Sequence, residues 1–125
     1  MKKTFAAVMG VAILGLSTVA FGAAHMKAME GMVGMWQWKD FTINCTKGGP
    51  NGMSCKVAKG PKNVGMEMIQ SALAMKDGAF VGKVAHPQTG ETYNAKMAPD
   101  GPDKFKMDGC TAAGACASGV FTRVK

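Results

Sequence analysis

Phe80-Val81-Gly82-Lys83-Val84-Ala85-His86, Pro87-Gln88-Thr89-Gly90 and Glu91-Thr92-Tyr93-Asn94-Ala95-Lys96-Met97 form the stretch that decides the fold. Folded about the Pro-Gln-Thr-Gly turn with His86 facing Glu91, it sets Phe80 opposite Met97, Gly82 opposite Ala95 and Val84 opposite Tyr93. The other face pairs Val81 with Lys96, Lys83 with Asn94 and Ala85 with Thr92. One face is apolar and the other mostly polar, the signature of a half-buried antiparallel pair. A slip of one residue would mix the faces, so the parity is well specified.

The same alternation extends outward in both directions. Downstream, Pro99-Asp100-Gly101-Pro102-Asp103 has strong turn chemistry. Placing Met97 opposite Phe105 sets Ala95 against Met107, with Lys104, Lys106 and Asp108 pointing out; Lys96 then faces Lys106, a like-charge pair. A last hairpin with Cys110 opposite Cys116 aligns Met107 with Gly119 and Phe105 with Phe121, and puts Arg123 on the inward parity. An inward arginine needs a partner. Upstream, Met35-Trp36-Gln37-Trp38-Lys39 reads as a short strand. Phe41-Thr42-Ile43-Asn44-Cys45-Thr46 alternates strictly, and Met53-Ser54-Cys55-Lys56-Val57-Ala58 returns from a Gly-Gly-Pro-Asn-Gly turn. Setting Cys45 opposite Cys55 also sets Ile43 opposite Val57. Residues 66–75 are ambiguous: Met, Glu, Gln, Ala and Leu favour helix, whereas closure of a sheet would want a strand.

Short strands joined by short turns, each with one apolar face, must close or stack to hide those faces. The sequence therefore predicts an all-β fold, a small up-and-down antiparallel β-barrel of about eight strands, with one short helix as a possible addition.

The first residues read as a secretory signal peptide, 1–22: Lys2 and Lys3, an apolar run from Phe5 to Phe21, and Ala20-Phe21-Gly22 as a small-x-small cleavage site. A membrane anchor is the competing reading, but Gly10, Gly15, Ser17 and Thr18 interrupt a run already short for a span. Residues 23–34 are a Met-rich segment and 35–125 the barrel domain. Removing Lys2 and Lys3 takes the formal charge from +7 to +5. The remaining lysines alternate with apolar residues along strands, a solvated face, and no nucleic-acid partner is expected. The expected location is periplasmic or secreted. Four cysteines in an exported chain predict two disulfides. Three pairings are possible in principle; the local ones, Cys45 with Cys55 and Cys110 with Cys116, each close their own turn. Zinc is disfavoured by the lack of Cys-x-x-Cys and by the placement of His25 and His86.

Several stretches, in order, resemble a known family. They are Gly34-x-Trp36, the pair Cys45 and Cys55, Gly82-Lys83-Val84-x-x-Pro87-x-x-Gly90-x-Thr92-Tyr93, Gly109-Cys110, Cys116, and Phe121-Thr122-Arg123. Together they span nearly the whole mature chain and are similar to the bacterial exported family catalogued as domain of unknown function 2147. The resemblance implies a lipocalin-like barrel. It also offers a partner for Arg123, since in such barrels the Gly-x-Trp tryptophan stacks beneath an arginine of the last strand; here the pair is Trp36 and Arg123, in a structural role. Two positions depart from the family pattern: His86 stands where an aspartate is common, and Phe121 where an aromatic of larger size often sits.

No catalytic constellation is found: no Gly-x-Ser-x-Gly, no His-Glu-x-x-His, no paired carboxylates, and Gly48-Gly49-Pro50-Asn51-Gly52 lacks a phosphate loop's Gly-Lys-Ser/Thr. The expectation is a non-enzyme without cofactor that binds a small apolar ligand in or at the mouth of the barrel. Phe41, Ile43, Phe80, Val84, Tyr93, Met97, Phe105, Met107 and Phe121 are the candidate ligand-binding residues, and Gly82, Ala95, Ala117 and Gly119 the small inward positions where space would open. The same side chains equally suit a filled core, since an eight-stranded barrel is just wide enough for either. Two further readings stand beside this one. His25, Met26, Met29, Met32 and Met35 form a soft-ligand set suited to Cu(I), although methionines at this spacing also serve as flexible packing. An envelope interaction protein, working through its outer surface, is the other.

Overall fold

The structure is a computed structural model that describes residues 28–125; the expected signal peptide and the residues up to Lys27 lie outside that range. A boundary between Gly31 and Met32 divides the chain into two units, and all eight strands belong to the second. A short helix covers 28–32. Then come β1 (Gly34–Trp38), β2 (Phe41–Lys47), β3 (Met53–Lys59), β4 (Ala74–Lys76), β5 (Ala79–Ala85), β6 (Thr92–Pro99), β7 (Lys104–Cys110) and β8 (Cys116–Arg123). Among the described residues, no helix is long and apolar enough to cross a membrane.

The strands form one antiparallel sheet in the order β3-β2-β1-β8-β7-β6-β5-β4. Every neighbour is a sequence neighbour except β1 beside β8, which curls the sheet on itself. The remaining gap, between β3 and β5, is filled by the segment that sequence composition left ambiguous. Residues 66–70 are extended, with bridges Lys56 to Glu67 and Ile69 to Val84. Met66 O accepts from Val57 N (3.0 Å) and Met68 N donates to Cys55 O (2.7 Å) on one side. On the other, Met68 O accepts from Ala85 N (2.7 Å) and Gln70 N donates to Lys83 O (2.8 Å). The helical composition yields because two sheet edges with open backbone groups lie on either side. Together with β4, this segment makes one crossing interrupted at 71–73, and the eight-stranded up-and-down ring is complete. The Glu67 carboxylate strengthens the seam, accepting from the Ser54 hydroxyl, Cys55 N (2.8 Å) and Ile69 N (3.1 Å).

The β5–β6 pairing is the one the alternation predicts, from Phe80 opposite Met97 to Ala85 opposite Thr92. The β2–β3 and β7–β8 hairpins likewise place Cys45 opposite Cys55 and Cys110 opposite Cys116. Both cysteine pairs are disulfides. The β6–β7 register differs from expectation by two residues: Met97 faces Met107, not Phe105, and Ala95 faces Gly109, not Met107. Inward parity survives such a shift, so the apolar pattern does not discriminate. Two local features do. Lys96 now faces Asp108 instead of Lys106, replacing a like-charge pair by an opposite-charge one. The turn also tightens, with Asp100 N donating to Lys104 O at 2.8 Å. Pro99 thereby enters the strand at a position whose missing N–H the ladder does not need.

The interior is mostly side chain. Trp36, Phe80, Ile43, Val57, Met68, Met97 and Val84 are each at most 2 % exposed, with Phe41, Phe105 and Phe121 at 3 %. Two of the small inward positions serve as sockets for large neighbours. A Cβ on Gly82 would meet Leu73 Cδ2 at 2.7 Å, and one on Gly119 would meet Trp38 Nε1 at 2.5 Å.

Candidate functional site

One end of the barrel is closed. The Arg123 guanidinium lies over the Trp36 ring, 4.3 Å from its centroid. Its Nη1 donates to Val33 O (2.8 Å), its Nε donates to Pro102 O (3.1 Å), and Nε stands 3.4 Å from Asp103 Oδ1. Trp36 Nε1 in turn donates to Met32 O at 2.9 Å. Gly34 has φ +133°, and a Cβ there would lie 2.6 Å from Arg123 Nη1. The Gly-x-Trp spacing is thus explained: the glycine leaves the path by which the guanidinium reaches the indole two residues on.

The opposite end is open. β1 ends at Trp38, whose side chain shares the inward parity of Trp36; Lys39, at φ 51°, begins the tight turn into β2. The Trp38 indole stacks on Phe41 (centroids 5.9 Å, planes 25° apart) and on Phe121 (5.9 Å, 19°). His86, just past β5, meets Trp38 edge-on at 5.2 Å and Tyr93 at 5.6 Å. Phe121 stacks on Phe105 (4.7 Å), which meets Trp36 edge-on at 4.7 Å. A continuous series of rings therefore runs from Tyr93 at the mouth to Trp36 at the closed end.

Between these rings and the opposing strands is a cavity of about 40 Å³. Its walls are Trp38, Val84, Ala85, His86, Pro87 and Tyr93 on one side, with Ala95, Met107, Gly109, Ala117, Ser118, Gly119 and Phe121 completing it. The lining is apolar apart from a few donors. His86 Nδ1 accepts from Gln88 N (3.1 Å), which leaves the ring proton on Nε2. Among the described residues no protein atom accepts from Trp38 Nε1, His86 Nε2 or the Tyr93 hydroxyl. The Lys39 ammonium stands 4.9 Å from the Trp38 ring centroid. Burial, and then the Lys39 charge, hold the His86 imidazole below its ordinary value of 6.5, with Glu91 pulling the other way. No aspartate or glutamate contributes to the lining.

Of the residues singled out in the sequence, Val84, Tyr93, Met107 and Phe121 line this cavity. Phe41, Ile43, Phe80, Met97 and Phe105 are buried in the filled part of the core. Trp38 and His86 are the rim residues that sequence reasoning passed over, although strand parity points to both: Trp38 follows Trp36 by two, and His86 follows Val84 by two. Met29 falls in the 28–32 helix, Met32 is 2 % exposed and Met35 lies on β1, while His25 and Met26 lie outside the described residues. No cluster of three or more His, Cys, Asp or Glu side chains able to hold a metal is present among the described residues.

No curated protein and no solved structure matches this chain. A protein-family match covers residues 28–123, nearly everything from the short helix to the end of β8, and carries the description "Uncharacterized protein conserved in bacteria (DUF2147)". A bacterial family and two disulfides are compatible with an extracytoplasmic location. On that match over most of its length, the chain belongs to the DUF2147 family.

Proposed function

We propose that this protein is a periplasmic binding module that takes up part of a small hydrophobic molecule at the open mouth of its barrel and performs no chemistry on it. The observation behind this reading is the apolar cavity itself, framed by Trp38, Val84, Tyr93, Met107 and Phe121 at one end of an otherwise filled interior. Its size limits the guest. Typical ligand pockets run to about 300–1,000 Å³, whereas this one has a volume of about 40 Å³, enough for a short alkyl end or the edge of one ring. The remainder of the molecule stays at the rim.

A titration of the purified protein with 1-octanol, followed by the indole N–H resonance of Trp38 and the amide resonances of Gly109 and Gly119, tests the reading. Saturable shifts confined to these residues are expected. Shifts absent across a series of alcohols and simple arenes at their solubility limits would overturn it.

A further inference from the structure

The rim polarity carries the reading of this site one step further, and the inference rests on the binding role proposed above. We propose that the site selects amphiphiles with an anionic head, a short-chain carboxylate being the simplest, whose apolar end enters the cavity while its head meets Trp38, His86 and Lys39.

The indole N–H of Trp38 and the Nε2–H of His86 are donors, and neither has an acceptor among the described residues. The two rings meet edge to face at 5.2 Å, with the Trp38 N–H edge seated against Gly119 and the His86 ring beside it. The Lys39 ammonium, 4.9 Å from the Trp38 centroid, supplies positive charge at the same place. A head that offered donors would leave these groups unmatched, and a cation would be repelled by Lys39. A carboxylate accepts from His86 Nε2 and pairs with the Lys39 ammonium. The cavity is too shallow to swallow a whole amphiphile, which keeps the head at this donor-rich rim.

Charge bookkeeping around His86 adds a second signature. The groups facing it are Trp38 and Lys39 from the β1–β2 turn, Gln88 from its own turn, and Glu91 and Tyr93 across the hairpin. Burial and Lys39 disfavour the imidazolium; Glu91 favours it. An anion bound alongside also favours it, so carboxylate binding takes up protons as the pH falls below 6.5.

The test compares octanoate, 1-octanol and octylamine by calorimetry and by the Trp38 indole resonance, on the purified protein. Octanoate is expected to bind about tenfold more tightly than 1-octanol, the increment of a charge-assisted hydrogen bond over a neutral one. Octylamine should bind more weakly than either. Lys39→Asn, a residue that tolerates the positive φ of that turn, should bring octanoate down to the affinity of octanol, and Glu91→Gln should raise it. Only octanoate should tighten as the pH falls below 6.5. Equal affinities for the three, or preference for octylamine, would overturn the selectivity while leaving the binding role intact. No binding of any of them would overturn both.

Discussion

Arg123 and Trp36 face each other across the β1–β8 seam, the guanidinium carbon 4.3 Å from the indole centroid, at the junction that joins the first strand to the last. The arginine is also tied to Val33, Pro102 and Asp103, so a single side chain links β1, the β6–β7 turn and β8.

Gly34→Ala should therefore destabilise the barrel by about 1–3 kcal/mol, because φ +133° is a glycine conformation and the new methyl would stand 2.6 Å from Arg123 Nη1. Urea unfolding followed by tryptophan fluorescence measures it. Stability equal to wild type would show that the arginine has an alternative path to the indole.

Glu67→Ala should loosen the closing seam. The carboxylate serves Ser54, Cys55 and Ile69, and its removal leaves those donors facing a sheet edge. A loss of about 1.5–3 kcal/mol is expected, with faster hydrogen exchange at Val57, Met68 and Ala85. Unchanged exchange there would mean that the backbone ladder closes the ring unaided.

The two disulfides should separate under mild reduction. Cys45 and Cys55 are 2 % and 4 % exposed, whereas Cys110 and Cys116 are both solvent-exposed. Alkylation with mass detection should label Cys110 and Cys116 first, at reductant levels that leave the β2–β3 bridge intact. Simultaneous labelling of all four would contradict the burial difference.

Gly119→Ala should push the Trp38 indole from its seat, since the added methyl would lie 2.5 Å from Nε1. Overpacking of this kind costs about 1–3 kcal/mol. A changed Trp38 emission and loss of octanol-induced shifts are the expected readouts; an unperturbed Trp38 resonance would show that the ring moves aside without consequence.

Acidification should act in two separate windows. His86 titrates below its ordinary 6.5 in the folded protein, so its contribution is intact above that value and is lost as the pH falls through the lower folded one. Asp103 is lowered from 3.8 chiefly by its hydrogen bond to Lys125 (2.8 Å), against an opposing effect of desolvation, with the charges of Lys125 and Arg123 adding to the lowering. Its contribution persists above 3.8 and disappears only as the pH drops through its folded value. Unfolding midpoints across pH should show His86→Asn flattening the first window alone and Asp103→Asn the second alone.

Much of this architecture is written in alternation. The Phe80–Met97 hairpin was legible pair by pair because a four-residue turn fixed the offset and a one-residue slip would have exposed the apolar face. The β6–β7 register was not, because a two-residue shift preserves parity; what decides it is the pairing of Lys96 with Asp108 and the tolerance of Pro99 at the strand end. Residues 66–75 were ambiguous, composition favouring helix and closure of the sheet a strand; 66–70 are extended because the open edges of β3 and β5 demand backbone partners. At the mouth, Val84 and Tyr93 were visible as inward residues. Which of the inward residues border empty space depends instead on how Leu73 and Trp38 fill the gaps left by Gly82 and Gly119, a matter of three-dimensional packing that no periodicity encodes.

The guanidinium stopper over Trp36 gives the barrel a floor. A guest that slips past Trp38 reaches a dead end after a few atoms and has to back out by the same doorway. For the binding role proposed above, such a vessel holds a molecule or hands it over at its lip and offers no passage through, and lengthening the guest beyond the floor adds only chain that hangs outside.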